Sequence, residues 1–394
     1  MLNSYKYTKI ACYIGYITQA IIVNFAPLLF LTFRRSFGLT LEQLTLLISL
    51  NFIVQLTVDL LSAAVIDKIG YRPCMVTAHV AAVLGLLGLA FLPNVIQPYA
   101  GLLVATVLYA IGGGLLEVMV SPIVEACPTD GKSAEMSFLH SFYCWGVVGV
   151  VLVSTVLFKL IGIDNWKLVA CMWAIIPAVN AVIFFFVPIA PIVPEGKSMS
   201  FLELVKTKLF WILMLLMTCS GAAELAVAQW ASAFAESGLK VSKTVGDLAG
   251  PCMFAIAMGV GRIFHCKFAE KIDLEKYIIA SGILCIFGYL IAVAPVGVVI
   301  NLIGCTLTGF AVAMVWPGML SVAAVRCPRG GTVMFALLAL GGDIGCFLGP
   351  TVVGVVSGAN GDNLKTGILA AIVFPLLIIA GMLMLRKQKC GTVD

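Results

Sequence analysis

The run GLLVATVLYAIGGGLLEVMVSPIVEA, residues 101–126, carries one acid, Glu117, deep inside an apolar stretch long enough to cross a bilayer. A hydrocarbon core of about 30 Å takes about 20 consecutive apolar residues as a helix, because lipid offers the backbone no hydrogen-bond partners. Comparable runs recur on both sides. Apolar spans read near 8–33, 43–66, 73–93, 101–126, 137–161, 166–190, 208–233, 246–266, 276–295, 298–325, 332–357 and 364–385. The chain of 394 residues is 61% hydrophobic and 11% charged, where a soluble domain carries about a quarter charged residues. A soluble fold, or a soluble enzyme with one anchor, is thereby excluded. The first apolar run is too long for the core of a signal peptide and lacks a small-residue cleavage site, so it is expected to remain as the first span.

Internal prolines such as Pro27, Pro122, Pro317 and Pro350 predict kinks, since each removes an N–H from the helical ladder. With the N-terminus inside, 17 Lys and Arg residues fall on the cytoplasmic side, Lys68, Arg72 and Arg262 among them, and seven on the other. That bias predicts cytoplasmic termini and an even number of spans. Thirteen cysteines include Cys144, Cys219, Cys285, Cys305 and Cys346 inside apolar spans, with no CxxC pair, and read as small buried apolar residues. The net charge of +5 comes without a basic tract, so no nucleic-acid partner is expected.

The longest polar connection, Pro191–Lys208, lies near mid-chain. It predicts an N-terminal six-helix bundle over 1–190, a cytoplasmic linker over 191–207 and a C-terminal six-helix bundle over 208–394. Three short matches support duplication: Phe37–Leu41 with Ser237–Val241, Cys127-Pro128 with Cys327-Pro328, and Asp67-Lys68-Ile69 with Glu270-Lys271-Ile272. All three offsets are close to half the chain, as expected for parallel repeats. The fold class is therefore an all-α integral membrane protein of twelve helices in two pseudo-symmetric bundles.

Between the second and third spans, Ala63–Arg72 resembles the major facilitator signature G-x-x-x-D-[RK]-x-G-[RK]-[RK], with Asp67, Lys68, Gly70 and Arg72 matching. Ala63 stands at the usual glycine, and Tyr71 replaces a base. The resemblance implies a latch of Asp67, Lys68, Gly70 and Arg72 that breaks and re-forms during transport, against the simpler reading of a solvated turn. Gly261-Arg262 resembles a degenerate second copy. Glu117–Pro122 is similar to the E-x-x-x-N-P pattern of the fucose–proton symporter family, with Ser121 for asparagine. His140–Gly146 resembles that group's fifth-span motif and the H-S-F-F-G-x-G segment of the related sodium-dependent glucose transporter branch. In the fucose group the position of Tyr143 is asparagine and the first span carries an acid; here the nearest polar group in that span is Asn24.

An ionisable side chain at the centre of a membrane helix costs about 2.5–3.5 kcal/mol, so such residues usually serve function. Asp59, Glu117, Glu224 and Asp343 qualify, and no Lys or Arg is expected at their depth; these four are the candidate cation-coupling residues. Glu117 is expected to bind the substrate, the coupling cation or both in turn, beside the close-approach stretch Gly112–Gly114. His140 reads as a hydroxyl-binding donor, a relay or a packing residue, and of Tyr143 and Trp145 at most one lines a cavity. Glu224, Gln229 and Trp230 together suit a sugar, the aromatic face against C–H groups and the polar atoms on hydroxyls, although Trp230 also fits an interfacial anchor. Trp316 is an aromatic wall, a gate or a packing residue, and Asn24 completes the substrate set. The small residues around Asp343 permit a close helix crossing.

These residues point to cation-coupled symport of a small hydroxylated solute, a monosaccharide, by alternating access. The rivals are a proton-coupled exporter of apolar compounds and a nutrient sensor on the same fold. No HExxH, CxxC, GxSxG or phosphate loop supports an enzyme. No cofactor is expected beyond a coupling proton or sodium ion, and no metal site is certain. The partners are the solute and the lipid bilayer, the chain is expected to act as a monomer, and short loops suggest a bacterial inner membrane.

Overall fold

The structure is a computed structural model describing residues 4–128, 132–190, 199, 201–268, 273–327 and 329–387. Among the described residues twelve helices are long and apolar enough to cross a membrane: Tyr5–Phe37, Leu41–Leu61, Tyr71–Val95, Pro98–Ala126, Phe138–Ile161, Ile163–Phe186, Lys208–Gly238, Lys243–Phe264, Leu274–Val293, Val298–Ala323, Leu337–Ala359 and Leu364–Lys387. They are numbered here as spans one to twelve. Each expected apolar run has its helix, because length and polarity alone fix a membrane helix.

Local signals fix where several helices begin. Thr40 and Gln43 form a reciprocal cap at the start of span two: Thr40 N–H donates to Gln43 Oε1 at 2.9 Å, and Gln43 N–H to Thr40 Oγ1 at 3.3 Å. Gln97 accepts from Ala100 N–H at 2.7 Å just before Pro98, which sits in the first turn of span four, where no donor is missed. Gly70, between spans two and three, has φ of +89°, a conformation that L side chains rarely adopt.

The prolines divide into two groups. At Pro27 span one tightens into a 3₁₀ turn over Ala26–Leu29, and span ten is two helices, Val298–Val312 and Val315–Arg326, with Pro317 in the first turn of the second. At Pro122 and Pro350 the helix runs on without a break. Two wider turns, at Phe234–Gly238 in span seven and Leu248–Cys252 in span eight, have no counterpart in the sequence reading.

The chain divides into two compact units, Met1–Pro194 and Glu195–Asp394. In the first unit, span three packs on four and six, span two on four, and span one on four, five and six. In the second, span nine packs on ten and twelve, span eight on ten, and span seven on ten, eleven and twelve. The second set is the first shifted by six spans, as a duplicated bundle requires. Phe201–Val205 forms a short helix inside the expected linker, while 191–198 and 200 lie outside the described residues. Eleven cysteines, Cys12 to Cys346, are free thiols, eight of them buried.

Candidate functional site

In the N-terminal unit the polar side chains converge from spans one, two, four and five. Gly113, Glu117 and Ser121 succeed one another at four-residue spacing on span four, and therefore share a face. Bare Cα atoms bring span two close to that face: a Cβ on Gly114 would meet Val58 Cβ at 2.9 Å and the Gln55 carbonyl at 3.0 Å. This crossing sets a carboxylate oxygen of Asp59 within 4.8 Å of one of Glu117. From span one, Gln19 donates through Nε2 to Glu117 Oε2 at 3.2 Å. One turn along, the Tyr16 and Ser121 hydroxyls are bonded at 3.0 Å, and the Tyr16 ring lies 5.1 Å from that of His140. Asn24 donates through Nδ2 to the Tyr143 hydroxyl at 3.4 Å and to the Ala20 carbonyl at 3.0 Å.

Asn24 thus meets Tyr143, Glu117 meets Asp59, and His140 joins through Tyr16 with its own side chain exposed. Trp145 is exposed and Tyr143 half-buried, so of that pair Tyr143 is the inward residue. Sequence reasoning passed over Tyr16, Gln19, Asn51 and Gln55. Their signal was available: Asn51, Gln55 and Asp59 recur every four residues in an otherwise apolar span, and Gln55 Nε2 donates to Asn51 Oδ1 at 3.4 Å.

In the C-terminal unit Glu224 and Asp343 are buried on spans seven and eleven. Arg262, near the end of span eight, is half-buried, and its charge acts on Glu224. The expectation that no cation neutralises the acids is therefore corrected for Glu224. The physical reason lies in span ten. Pro317 has no N–H to give the carbonyl four residues earlier, that of Ala313, and Arg262 Nε donates to this oxygen at 3.2 Å. The proline opens the helix and the arginine fills the opening.

Trp316, next to that break, lays its six-membered ring against the bare Cα of Gly342, the neighbour of Asp343. Gln229 is buried, and Trp230 is fully enclosed with Nε1 donating to the Pro350 carbonyl at 3.0 Å. An indole so enclosed offers no open ring face, which corrects both the sugar-stacking and the interfacial-anchor expectation: Trp230 ties span seven to span eleven. The glycines of span eleven serve the same joint, since Cβ atoms on Gly345 and Gly349 would run into the Thr218 and Ala222 backbone of span seven.

Of the expected latch, the Asp67 and Lys68 side chains lie outside the described residues. Gly70 supplies the turn. Arg72 donates through Nη1 to the Phe184 and Phe185 carbonyls at 2.9 and 2.6 Å, and through Nη2 to the Val187 carbonyl at 2.9 Å. These are carbonyls at the C-terminal end of span six, where helical partners run out and a cation is favoured, so Arg72 caps a helix.

The family model of the Major Facilitator Superfamily matches residues 12–350. The membrane protein MosC of Rhizobium meliloti is 24% identical over 294 residues, 73% of this chain and 69% of that protein. A crystal structure of a D-xylose–proton symporter superposes with a TM-score of 0.81 at 12% identity, covering 98% of each chain. The fucose–proton symporter of E. coli gives 0.66 at 17% identity, covering 98% of this chain and 100% of the other.

Proposed function

Because this chain belongs to the major facilitator superfamily, we propose that it is a secondary active transporter that couples inward movement of a proton or sodium ion to uptake of a small hydroxylated solute, a monosaccharide. The observation that carries the reading is the polar set around Glu117. A carboxylate held by Gln19, two hydroxyls on Tyr16 and Ser121, the Asn24–Tyr143 pair and a nearby imidazole offer donors and acceptors in the mixture a polyol needs. Solved structures of the same fold include proton symporters of xylose and fucose, which supports a sugar. An exporter of apolar compounds would gain little from so many hydrogen-bonding groups. Gly345 and Gly349 of span eleven are taken up in packing on span seven.

In this reading Glu117 and Asp59 take up the coupling ion beside the solute hydroxyls in the N-terminal unit, with Glu224 and Asp343 as the acids of the C-terminal unit. The carboxylates then gate alternating access by being neutralised or bare. The chain acts as a monomer in the bacterial inner membrane with both termini cytoplasmic, and needs no cofactor. The test is uptake of labelled fucose, glucose, galactose and a nucleoside into proteoliposomes under separate inward proton and sodium gradients, with Glu117→Gln beside the parent. Concentrative uptake of one sugar, lost in the variant, is the expected result. A folded parent that accumulates none of them under either gradient overturns the reading.

A further inference from the structure

The end of the C-terminal unit where span seven begins and span twelve ends carries more positive charge than its described acids balance. Glu275 and Asp273 are already engaged. Arg326 Nη2 donates to Glu275 at 2.6 Å with Arg386 Nε at 3.8 Å, and Asp273 has Lys276 at 3.5 Å and Arg386 at 3.9 Å. Lys206, Lys208 and Lys387 are exposed, and among the described residues their ammonium groups have no ion pair or hydrogen bond. Glu203, exposed on the short linker helix, offsets one of the three charges.

Lys208 and Lys387 stand at one level. Alternate spans run in opposite directions, and a Cβ on Gly381 of span twelve would lie 2.8 Å from the Leu216 side chain of span seven. From that crossing Lys208 is eight residues back and Lys387 six residues on, about 12 and 9 Å along helices that rise 1.5 Å per residue. Packed helices stand about 8–10 Å apart, so both ammonium groups reach one phosphodiester. Lys206 lies two residues before Lys208.

The surface next to these charges is apolar. Lys208, Trp211 and Leu215 follow helical spacing on span seven and are all exposed, as are Met384 and Lys387 on span twelve. Trp211 donates through Nε1 to the carbonyl of Val205, the last residue of the short helix Phe201–Val205, at 2.8 Å. The indole is thereby held in place with its ring more than half exposed, and Phe201 and Leu202 of the short helix are exposed to a similar degree. Indole and lysine side by side mark the level where acyl chains give way to head groups. Water satisfies the lysines but not the rings, and an acyl chain satisfies the rings but not the lysines. A lipid with an anionic head group meets both needs.

We infer that Lys206, Lys208, Lys387 and Trp211 bind an acidic phospholipid, its phosphate on the ammonium groups and the upper part of an acyl chain along Trp211 and Leu215. The site goes beyond symport, since it needs neither solute nor coupling ion.

Trp211 is its own reporter. The full-length protein is reconstituted in phosphatidylcholine without solute, and phosphatidylglycerol or phosphatidylcholine brominated near the glycerol end is added in increasing mole fraction. The quenching due to Trp211 is the part missing in Trp211→Phe. Brominated phosphatidylglycerol is expected to reach half-quenching at a mole fraction about tenfold lower than the zwitterionic lipid, and salt should erase that preference. Combining Lys206→Gln, Lys208→Gln and Lys387→Gln should remove the preference and leave quenching by phosphatidylcholine as in the parent, whereas Lys159→Gln, an exposed lysine at the end of span five, should change nothing. If the triple variant does not reconstitute, the salt series of the parent still decides. Equal quenching by the two lipids in the parent, a preference that survives in the triple variant or in high salt, or an equal loss in Lys159→Gln overturns the site. Relief of quenching by soluble glycerol phosphate would assign the lysines to a free phosphate and overturn the lipid.

Discussion

The ring of Trp316 occupies the space that a Cβ on Gly342 would need. The carbonyl of Gly342 in turn fills the place of a Cβ on Gly221. One glycine therefore joins spans seven, ten and eleven, immediately before Asp343. Gly342→Ala should force either the indole or the span-eleven backbone to move, at an overpacking cost of about 1–3 kcal/mol. A lowered unfolding midpoint with reduced uptake is expected, and Trp316→Leu in the same background should recover most of the stability. If Gly342→Ala melts like the parent, the ring is free to leave and this joint is not rigid.

Arg72 offers a way to separate a helix cap from a gating latch. Its three bonds to the end of span six predict that Arg72→Ala loses about 1–3 kcal/mol, with Arg72→Lys in between, because an ammonium lacks the flat fork that reaches several carbonyls at once. Calorimetry and uptake measured on the same preparations decide the matter. Full stability with altered transport would restore the latch reading.

The spans were legible because the bilayer imposes a length and a polarity that composition alone can meet, and Gly70 and Gly114 were legible as places of turn and close approach. The site was half legible. Acids stand out in an apolar helix because they are costly, whereas the amides Gln19, Asn51 and Gln55 cost less and attract less notice, so the partner of Glu117 was missed. The role of Arg262 was hidden for another reason. Its hydrogen bond depends on Pro317, 55 residues later, which frees the Ala313 carbonyl that it caps. No local window contains both residues. The enclosure of Trp230 depends in the same way on the distant Pro350 carbonyl.

Glu135 lies just outside span five, bonded by the Lys9 ammonium at 2.9 Å and by the Tyr13 hydroxyl. Burial works against its ionisation, but the Tyr13 and Lys9 hydrogen bonds and the Lys9 charge outweigh it and hold the carboxyl below its ordinary value of 4.5. A depressed value means that the stabilisation is present above the ordinary carboxyl range and is lost as pH falls through the lowered value. Glu135→Gln should cost about 1–2 kcal/mol at pH 7 and flatten the fall in unfolding midpoint below about pH 4.5. Identical acid profiles for parent and variant would show that this cluster contributes nothing to the pH dependence.

Arg262 serves two groups at once, the Ala313 carbonyl left over by Pro317 and the charge of Glu224. Removing it should hurt twice. Arg262→Ala leaves a buried oxygen unsatisfied and Glu224 without its cation, whereas Glu224→Gln removes only the charge that Arg262 balances. A double-mutant cycle on unfolding free energy should therefore show a coupling of about 0.5–3 kcal/mol, with the double variant more stable than the sum of the single losses predicts. Part of the Arg262→Ala loss should persist in the double variant, because the Ala313 carbonyl is still bare. Uptake adds a second reading: if Glu224→Gln still accumulates solute, the pair holds the C-terminal unit together, and if it only exchanges solute without accumulation, Glu224 carries the coupling charge and Arg262 tunes it. Strict additivity in the cycle would mean that the two side chains do not sense each other.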